Sequence, residues 1–388
     1  MLLYAVAVAW VVFGFLSFGI VGFNYILARR AAKKTWKIRK DESYMPRVSI
    51  IVPTYNESEV IKYKLKNIMK LDYPKNLIQM VFVDSNSTDA TVDIIRTFAQ
   101  ETKDIDTKVI VENERKGKTF ALNVALKECT GEVVIVSDAD CFWPSRILKD
   151  SLCYLGDPSI GAISGPKKLL NEQESWVTRN EGKYLKSMNL MKLGESKAGS
   201  TIFFEGGFAA FNKTTLNAFD PYDTGSDDCG TVIGVFEQDE RAVMVPEAEF
   251  YTFFPRSWKG RTNIKIRRAV QLIRVLRNYL TLLLEGKIDT MKKTVIKNLL
   301  VYIFAPIMFL CFVATTVLLM LTIPPTILLL SLLLIPDVNI YLVEVMSSFL
   351  TMVVAGLLVA SKKKSLVWKK PEDRRLVLEE PLARAGLV

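Results

Sequence analysis

Residues 132–140 have the sequence EVVIVSDAD, which joins a β-strand signal to two carboxylates. Four consecutive β-branched apolar residues are typical of a buried strand. Asp138 and Asp140 follow where that strand would end, and the single residue between them puts both side chains on one face of an extended chain. In open α/β sheets, ligands bind beyond the carboxyl ends of the strands. We therefore predict a ligand site here, and two close oxygen donors suit a hard divalent cation.

This strand is one of a series between residues 46 and 255. Short apolar runs rich in β-branched residues predict strands at residues 48–52, 79–83, 108–111 and 133–136, with further signals at 162–164, 208–211 and 242–245. Helical segments are predicted between the first four strands, at residues 57–70, 88–100 and 118–128. Strands that alternate with helices form a mostly parallel sheet with helices on both faces. The predicted fold class is α/β, with functional groups in the strand-end loops.

Apolar residues concentrate at the two ends of the chain. Residues 4–27 are almost uncharged and, at about 1.5 Å per residue, long enough to cross the hydrocarbon core of a membrane. A basic cluster follows them, whereas a signal peptide would carry its basic cluster first, so we predict a transmembrane helix with its N-terminus outside. Residues 299–322 and 340–360 predict two further spans. Residues 326–335 are too short to cross alone and could be re-entrant, interfacial or part of a longer tilted span.

Composition restricts the chemistry that the chain can perform. It contains 51 basic and 41 acidic residues, and the basic excess lies beside the apolar spans. The expected partner is therefore a membrane with anionic lipids, and no nucleic acid. There is no histidine, which excludes Ser-His-Asp and Cys-His nucleophiles, so any catalytic base must be a carboxylate or a lysine. The five cysteines are scattered without a CxxC pair, as is typical of reduced structural thiols.

Residues 46–270 resemble the family 2 glycosyltransferases, whose catalytic domain has the Rossmann-like GT-A nucleotide-sugar fold. The resemblance is carried by PTYNE at 53–57, VDSNSTDAT at 83–91, GKTFALN at 117–123, SDAD at 137–140, EGG at 205–207, SDD at 226–228 and VPEAE at 245–249. The flanking apolar segments resemble the membrane-integrated branch of the family, which includes polyprenyl-phosphate glycosyltransferases and synthases of hyaluronan, chitin and cellulose.

The resemblance implies a role for each matched residue. The donor, a UDP- or GDP-linked sugar, would be bound by Pro53, Tyr55, Glu57, Asp84, Lys118, Asp138 and Asp140. Asp140 would also ligate Mg²⁺ or Mn²⁺, and Asp228 would be the catalytic base. The acceptor or a phosphate group would be contacted by Gly206, Gly207, Asp227, Arg267 and Arg268. The chemistry is consistent with these roles, because displacing a nucleoside diphosphate needs a cation on the leaving group and a hydroxyl acceptor needs a base.

One departure from the family concerns the segment before the next apolar run. Polymer-forming members carry QxxRW there, whereas residues 265–269 of this chain are KIRRA, without the glutamine or the tryptophan. We therefore expect an inverting transferase that moves a sugar to a lipid or lipid-linked acceptor at the cytoplasmic membrane face. The alternatives are a processive polysaccharide synthase and an inactive membrane subunit that only binds nucleotide sugar. The acceptor group stays open, because Asp228 favours a hydroxyl whereas Arg267 and Arg268 favour a phosphate.

Together these observations predict six parts of the chain. They are a transmembrane helix at residues 1–28, a basic linker at 29–45, a cytoplasmic GT-A domain at 46–257, basic amphipathic interface helices at 258–298, a transmembrane region at 299–360 and a cytoplasmic tail at 361–388.

Overall fold

The computed structural model of the chain describes residues 1–323, 336–361 and 378–388. Residues 326–335, whose placement the sequence left open, lie outside this part. The strands are β1 (Val48–Thr54), β2 (Ile78–Asp84), β3 (Asp106–Val111), β4 (Val133–Val136), β5 (Ile160–Ser164), β6 (Lys167–Leu169), β7 (Ala209–Asn212), β8 (Arg241–Met244) and β9 (Phe250–Thr252). The helices are α1 (Leu2–Gly14), α2 (Ile20–Ala32), α3 (Ser58–Met69), α4 (Thr91–Glu101), α5 (Lys118–Leu126), α6 (Ile147–Leu152), α7 (Trp176–Ala198), α8 (Val232–Phe236), α9 (Trp258–Leu284), α10 (Lys292–Leu299), α11 (Ala305–Thr322), α12 (Pro336–Ala360) and α13 (Glu379–Arg384).

Seven strands form one central sheet in the order β3-β2-β1-β4-β7-β5-β8. The first four in that order are mutually parallel, and β8 is parallel to β5, whereas β7 runs antiparallel to β4 and β5. The predicted α/β fold with a mostly parallel sheet is confirmed. The central strands β1, β2 and β4 are almost wholly buried, since both faces of the sheet are covered.

Two apolar clusters cover the two faces of the sheet. One includes Ile61, Leu65 and Ile68 of α3, together with residues of α4 and α6. The other includes residues of α5 and α8 and extends to Val275 and Leu276 of α9. Helix α9 therefore belongs to the core of the domain along part of its length, beyond the predicted domain boundary at residue 257.

The sequence carried no signal for the two-stranded sheet of β6 and β9. These strands have three residues each and pair in parallel as a sheet separate from the central one. Strand β9 also forms an isolated antiparallel bridge between Tyr251 and Phe142, two residues beyond Asp140. The small sheet thus fixes the chain just after the two aspartates.

Within the part of the chain that the structure describes, two continuous helical segments are long and apolar enough to cross a membrane. They are Leu3–Ala32, of 30 residues, and Asp289–Thr322, of 34 residues, and each contains a π-helical turn. The two segments pack together, with Trp10 Nε1 donating a hydrogen bond to Thr316 Oγ1 at 2.9 Å. Helix α12 covers the third predicted span and lies along α9, where Ala269 and Val270 pack against Met352 and Ala355.

A buried ionic network connects α7, α9 and α12. Arg261 is almost inaccessible to solvent and donates to Glu181 at 3.1 Å and to Glu344 at 2.5–2.6 Å. Lys265 completes the network at 2.5 Å from Glu344 and 3.4 Å from Glu181. Removing one member of a buried ionic group leaves its partners uncompensated, which typically costs about 3–5 kcal/mol. The network therefore fixes where α12 lies against the domain that contains the central sheet.

The C-terminal segment packs against the domain that contains the central sheet. Leu378, Leu382 and Leu387 are buried against Val60 of α3 and against Phe142 and Phe253. Residues 378–388 and the central sheet must therefore lie on the same side of any membrane that the chain crosses.

Candidate functional site

The two aspartates of EVVIVSDAD occupy the turn directly after β4, as predicted. Strand β4 ends at Val136, and the backbone N–H of Asp138 donates to the carbonyl of Gly206 at 3.1 Å. This hydrogen bond joins the turn to the EGG loop at residues 205–207. The space beside Gly206 is tight, because a Cβ there would lie 2.8 Å from Lys118 Nζ and 3.3 Å from Asp138 Oδ2. Glycine at this position leaves room for both side chains.

Lys118 links two of the predicted carboxylates. Its ammonium nitrogen lies 2.6 Å from Asp138 Oδ1 and 2.5 Å from Asp227 Oδ2. Burial alone would lower the pKa of Lys118, but the two carboxylates raise it above its ordinary value. Burial alone would raise the pKa of Asp138, but Lys118 lowers it below its ordinary value. For Asp227 burial has the larger effect, and its pKa stays raised although Lys118 is close. The lysine therefore stays charged and holds residues 138 and 227 together.

The turn after β4 offers ligands for a divalent cation. Asp138, Asp140 and Cys141 each have a potential ligand atom, and these atoms lie within 4.8 Å of one another. Burial raises the pKa of the Cys141 thiol to about 12, so the thiol stays protonated and is a poor ligand. The two carboxylates are hard oxygen donors of the kind that Mg²⁺ and Mn²⁺ prefer. The residues present therefore fit the predicted cation, with Asp138 and Asp140 as its candidate ligands.

Asp228 is held differently from its neighbour Asp227. Its Oδ1 accepts hydrogen bonds from Ser226 Oγ at 2.6 Å and from the backbone N–H of Cys229 at 2.7 Å. Among the residues that the structure describes, no hydrogen-bond donor reaches its Oδ2. One oxygen of Asp228 thus orients the group, and the other is available to accept a proton.

Arg267 and Arg268 lie on α9 and face these carboxylates. Burial and the neighbouring Arg268 lower the pKa of Arg267. The carboxylates of Asp227, Asp228 and Asp138 raise it, but by less. Arg268 retains solvent access within a crowded cleft: burial would lower its pKa, but Glu205 and Asp228 raise it. Within the described ranges, neither guanidinium forms an ion pair or hydrogen bond with the protein. Both are therefore able to bind an anionic ligand.

The loops after β1 and β2 are joined by hydrogen bonds around Asp84. This residue is fully buried, and its carboxylate accepts from Thr54 Oγ1 at 2.9 Å, from Ser87 Oγ at 2.6 Å and from Ser87 N at 2.7 Å. The carboxylate thus holds the two loops together, and its contact with a nucleoside stays a prediction. Asn56 adds a second link, because its Oδ1 accepts from the backbone N–H of Thr88 at 2.8 Å.

Three further predicted residues line the end of β1. Pro53 is aligned with Val83 in the register of β1 and β2, and the carbonyl of Glu57 accepts from Ile61 N at 2.8 Å at the start of α3. The ring of Tyr55 is half-buried, and the guanidinium carbon of Arg115 lies 4.0 Å from its centroid. Arg115 adds positive charge beside an aromatic surface, a combination that suits a nucleotide.

The order of these elements agrees with a known family. Residues 49–218 match the family model described as Glycosyl transferase family 2. The chain is similar over 92% of its length to the whole of a solved mannosyltransferase, PcManGT from Pyrobaculum calidifontis in complex with GDP-Man and Mn²⁺, with 29% identity and a TM-score of 0.80. The domain has the GT-A fold, and its residues 49–218 match the family 2 glycosyltransferases. Its sequence-predicted fold class is thereby confirmed.

Curated proteins that are similar to this domain include synthases of different products. The chain is 32% identical over 35% of its length to β-monoglucosyldiacylglycerol synthase of Synechocystis, covering 29% of that protein. It is 25% identical over 53% of its length to poly-β-1,6-N-acetyl-D-glucosamine synthase of Staphylococcus epidermidis, covering 49% of that protein. The chain therefore spans half or less of the length of these two relatives.

A buried ion-pair group beside the family 2 site was not assigned from the sequence. Glu205, the first residue of the EGG motif, lies 2.6 Å from Lys167 Nζ and 2.6 Å from Lys192 Nζ. Burial alone would raise the pKa of Glu205, but the two lysines lower it well below its ordinary value. Glu205 was part of a quoted motif, but Lys167 and Lys192 lie in segments without a motif, so only the tertiary structure brings them together.

Gly207 has a packing requirement of its own. A Cβ at this position would lie 2.0 Å from the ring of Phe250, and the carbonyl of Gly207 accepts from Trp143 Nε1 at 2.8 Å. Close packing against β9 is sufficient to require glycine here. A contact of Gly207 with donor or acceptor stays a prediction.

Proposed function

We propose that this protein transfers a sugar, with inversion, from a GDP-linked donor to a lipid or lipid-linked acceptor at a membrane surface. The similarity to a mannosyltransferase in complex with GDP-Man and Mn²⁺ supports mannose as the sugar and Mn²⁺ as the cation. The relative that is a glucosyldiacylglycerol synthase, and the apolar segments at both ends, support a lipid acceptor.

One observation carries the proposal. Two aspartates at a strand end offer ligands for a cation, and one of them, Asp138, lies near two arginines that have no ionic partner in the described part of the chain. Carboxylates alone would suit only a cation, and arginines alone would suit only an anion. A nucleoside diphosphate with a divalent cation would satisfy both, because Asp138 and Asp140 would hold the cation, which would offset the charge of the diphosphate, and the guanidinium groups would contact phosphate oxygens.

Each residue of the site then has its own role in a single-displacement transfer reaction. A bound divalent cation supplies Lewis-acid stabilisation of the leaving diphosphate. Lys118 orients Asp138 and Asp227 and would contact the diphosphate. Asp228 removes the proton of an acceptor hydroxyl through Oδ2, while Ser226 and Cys229 hold Oδ1. Arg267 and Arg268 bind phosphate, either of the donor or of a lipid-linked acceptor.

The proposed topology places the catalytic domain and the C-terminal segment in the cytoplasm, with the N-terminus outside. The basic residues that follow α2 support this orientation. The packing of Leu382 against the catalytic domain supports an even number of crossings between residue 299 and the C-terminus. Accessibility labelling of single cysteines at Glu42 and Val388 in sealed vesicles tests the topology. Labels reaching the two positions from opposite sides would contradict it.

The test of function uses membranes that contain the full chain, incubated with radiolabelled nucleotide sugars and Mn²⁺. We expect label from GDP-mannose to enter the organic phase as a glycolipid, and EDTA to prevent this. Label from a UDP-sugar alone would contradict the GDP-linked donor. Label retained in a large water-soluble polymer would favour the processive synthase. A chain that binds the donor without any transfer would favour the inactive subunit.

A further inference from the structure

A lysine occupies a core position directly beneath the two aspartates. Lys64 lies on the buried face of α3, in line with Val60 and Ile68, and its side chain has no solvent exposure. Its ammonium nitrogen donates to Ser137 Oγ at 2.6 Å and to the carbonyl of Cys141 at 2.7 Å. These two acceptors bracket Asp138 and Asp140, one immediately before and one immediately after.

The stability of the fold does not explain a lysine at this position. Among the residues that the structure describes, no carboxylate lies within ion-pair distance of Lys64, and its amine nitrogen lies 4.2 Å from the centroid of the Trp143 ring. Burying an ammonium group without a counter-charge costs several kcal/mol, and burial accordingly lowers the pKa of Lys64 to about 7. An apolar side chain of similar length is usually as stable or more so. A buried amine of this kind indicates a function in the turn that it contacts.

The contacts of Lys64 extend from the turn to the EGG loop. Ser137 Oγ lies 3.5 Å from the carbonyl of Gly207, which also accepts from Trp143 Nε1 at 2.8 Å. Trp143 is held independently, because Asn67 of α3 both donates to its carbonyl and accepts from its backbone N–H, each at 2.8 Å. The chain is therefore fixed from residue 142 onward without Lys64. Lys64 adds the side-chain contact that joins Ser137 to the carbonyl of Cys141 across the two aspartates.

We propose that Lys64 is a positioning residue, which holds Ser137 and the Cys141 carbonyl so that Asp138 and Asp140 converge on one divalent cation. The proposal rests on the function proposed above, since it takes these carboxylates as the ligands. Lys64 touches neither cation nor donor and acts only through the turn. Groups that orient metal ligands in this way typically contribute about 10–100-fold to metal affinity.

The test compares Lys64→Met with wild type, using the full chain in detergent or nanodiscs. Mn²⁺ binding is titrated by calorimetry in the presence of GDP, and thermal unfolding is recorded in parallel without metal. We expect the apparent Kd for Mn²⁺ to rise by about 10–100-fold, with an unfolding midpoint equal to or above that of wild type. The matched control is Lys66→Met, the same substitution on the exposed face of α3, which should bind Mn²⁺ like wild type.

A second variant keeps the proposal testable if Lys64→Met fails to fold. Ser137→Ala removes one acceptor and retains the lysine, and we expect it to weaken Mn²⁺ binding in the same direction by a smaller factor. Unchanged Mn²⁺ binding in either folded variant would overturn the positioning role. Destabilisation of Lys64→Met with unchanged Mn²⁺ binding would make the lysine purely structural. A wild-type protein that binds no Mn²⁺ with GDP would instead overturn the proposed function.

Discussion

Replacing Asp228 with asparagine isolates its proposed role as a base. The side chain of Asp228 accepts two hydrogen bonds on Oδ1, from Ser226 Oγ and from the backbone N–H of Cys229. An asparagine amide oxygen can accept the same two hydrogen bonds. The substitution therefore keeps the loop in place and removes only the ability to take up a proton at Oδ2.

The size of the expected effect follows from general-base catalysis. A positioned base typically contributes about 10²–10⁴-fold to the rate of a step that transfers a proton, which corresponds to roughly 3–5 kcal/mol of barrier. We expect Asp228→Asn to lower kcat by a factor in this range while the Kd of the donor stays close to that of wild type. Single-turnover transfer from labelled GDP-mannose and a separate donor titration measure the two quantities.

The neighbouring residue provides the matched control. Asp227→Asn makes the same change one residue earlier, but it removes the carboxylate that lies 2.5 Å from Lys118. We expect this variant to weaken donor binding, because Lys118 and Asp138 lose their third charged partner. A near-wild-type kcat for Asp228→Asn would refute the base role and favour a lipid phosphate acceptor, which carries no proton to remove. In that case Arg268→Ala should instead raise the KM of the acceptor.

Three further outcomes are expected. Asp140→Asn should abolish Mn²⁺-dependent transfer without lowering the unfolding midpoint, and full turnover of this variant in EDTA would exclude the metal role. Glu205→Gln should lower the free energy of unfolding at pH 7 by about 3–5 kcal/mol, because Lys167 and Lys192 lose a buried counter-charge. The pKa of Glu205 is lower in the folded state than in the unfolded state. Its carboxylate therefore adds to the free energy of unfolding above the unfolded-state pKa of about 4.3, and this stabilisation is lost as pH falls through the folded-state pKa. Urea unfolding from pH 7 to pH 3 should show the two proteins converging, and parallel curves would contradict this. Leu382→Ala, at a fully buried position, should release the C-terminal segment to limited proteolysis, whereas the exposed Glu380→Ala should not.

The sequence by itself predicted the parts of the protein that depend on local patterns. The β-branched runs of β1, β2 and β4 predicted strands because such side chains suit a sheet that is covered on both faces. The position of Asp138 and Asp140 followed from the same runs, since the end of a strand fixes where the next side chains lie. Both observed strands β1 and β2 extend beyond the predicted ends, to Thr54 and Asp84, because paired parallel strands support each other through residues with weak intrinsic preference.

Other features depend on contacts between residues that are far apart in the sequence. Lys64 and Cys141 are 77 residues apart, and Arg261 and Glu344 are 83 residues apart. The helical spacing of Val60 and Ile68 places Lys64 on the apolar face of α3, away from the exposed Lys62 and Lys66. Its contacts with Ser137 and Cys141, however, follow only from the packing of α3 against the sheet. A sequence pattern determines which residues form a strand or helix, whereas the packing of those elements decides which charges are desolvated and which partners then compensate them.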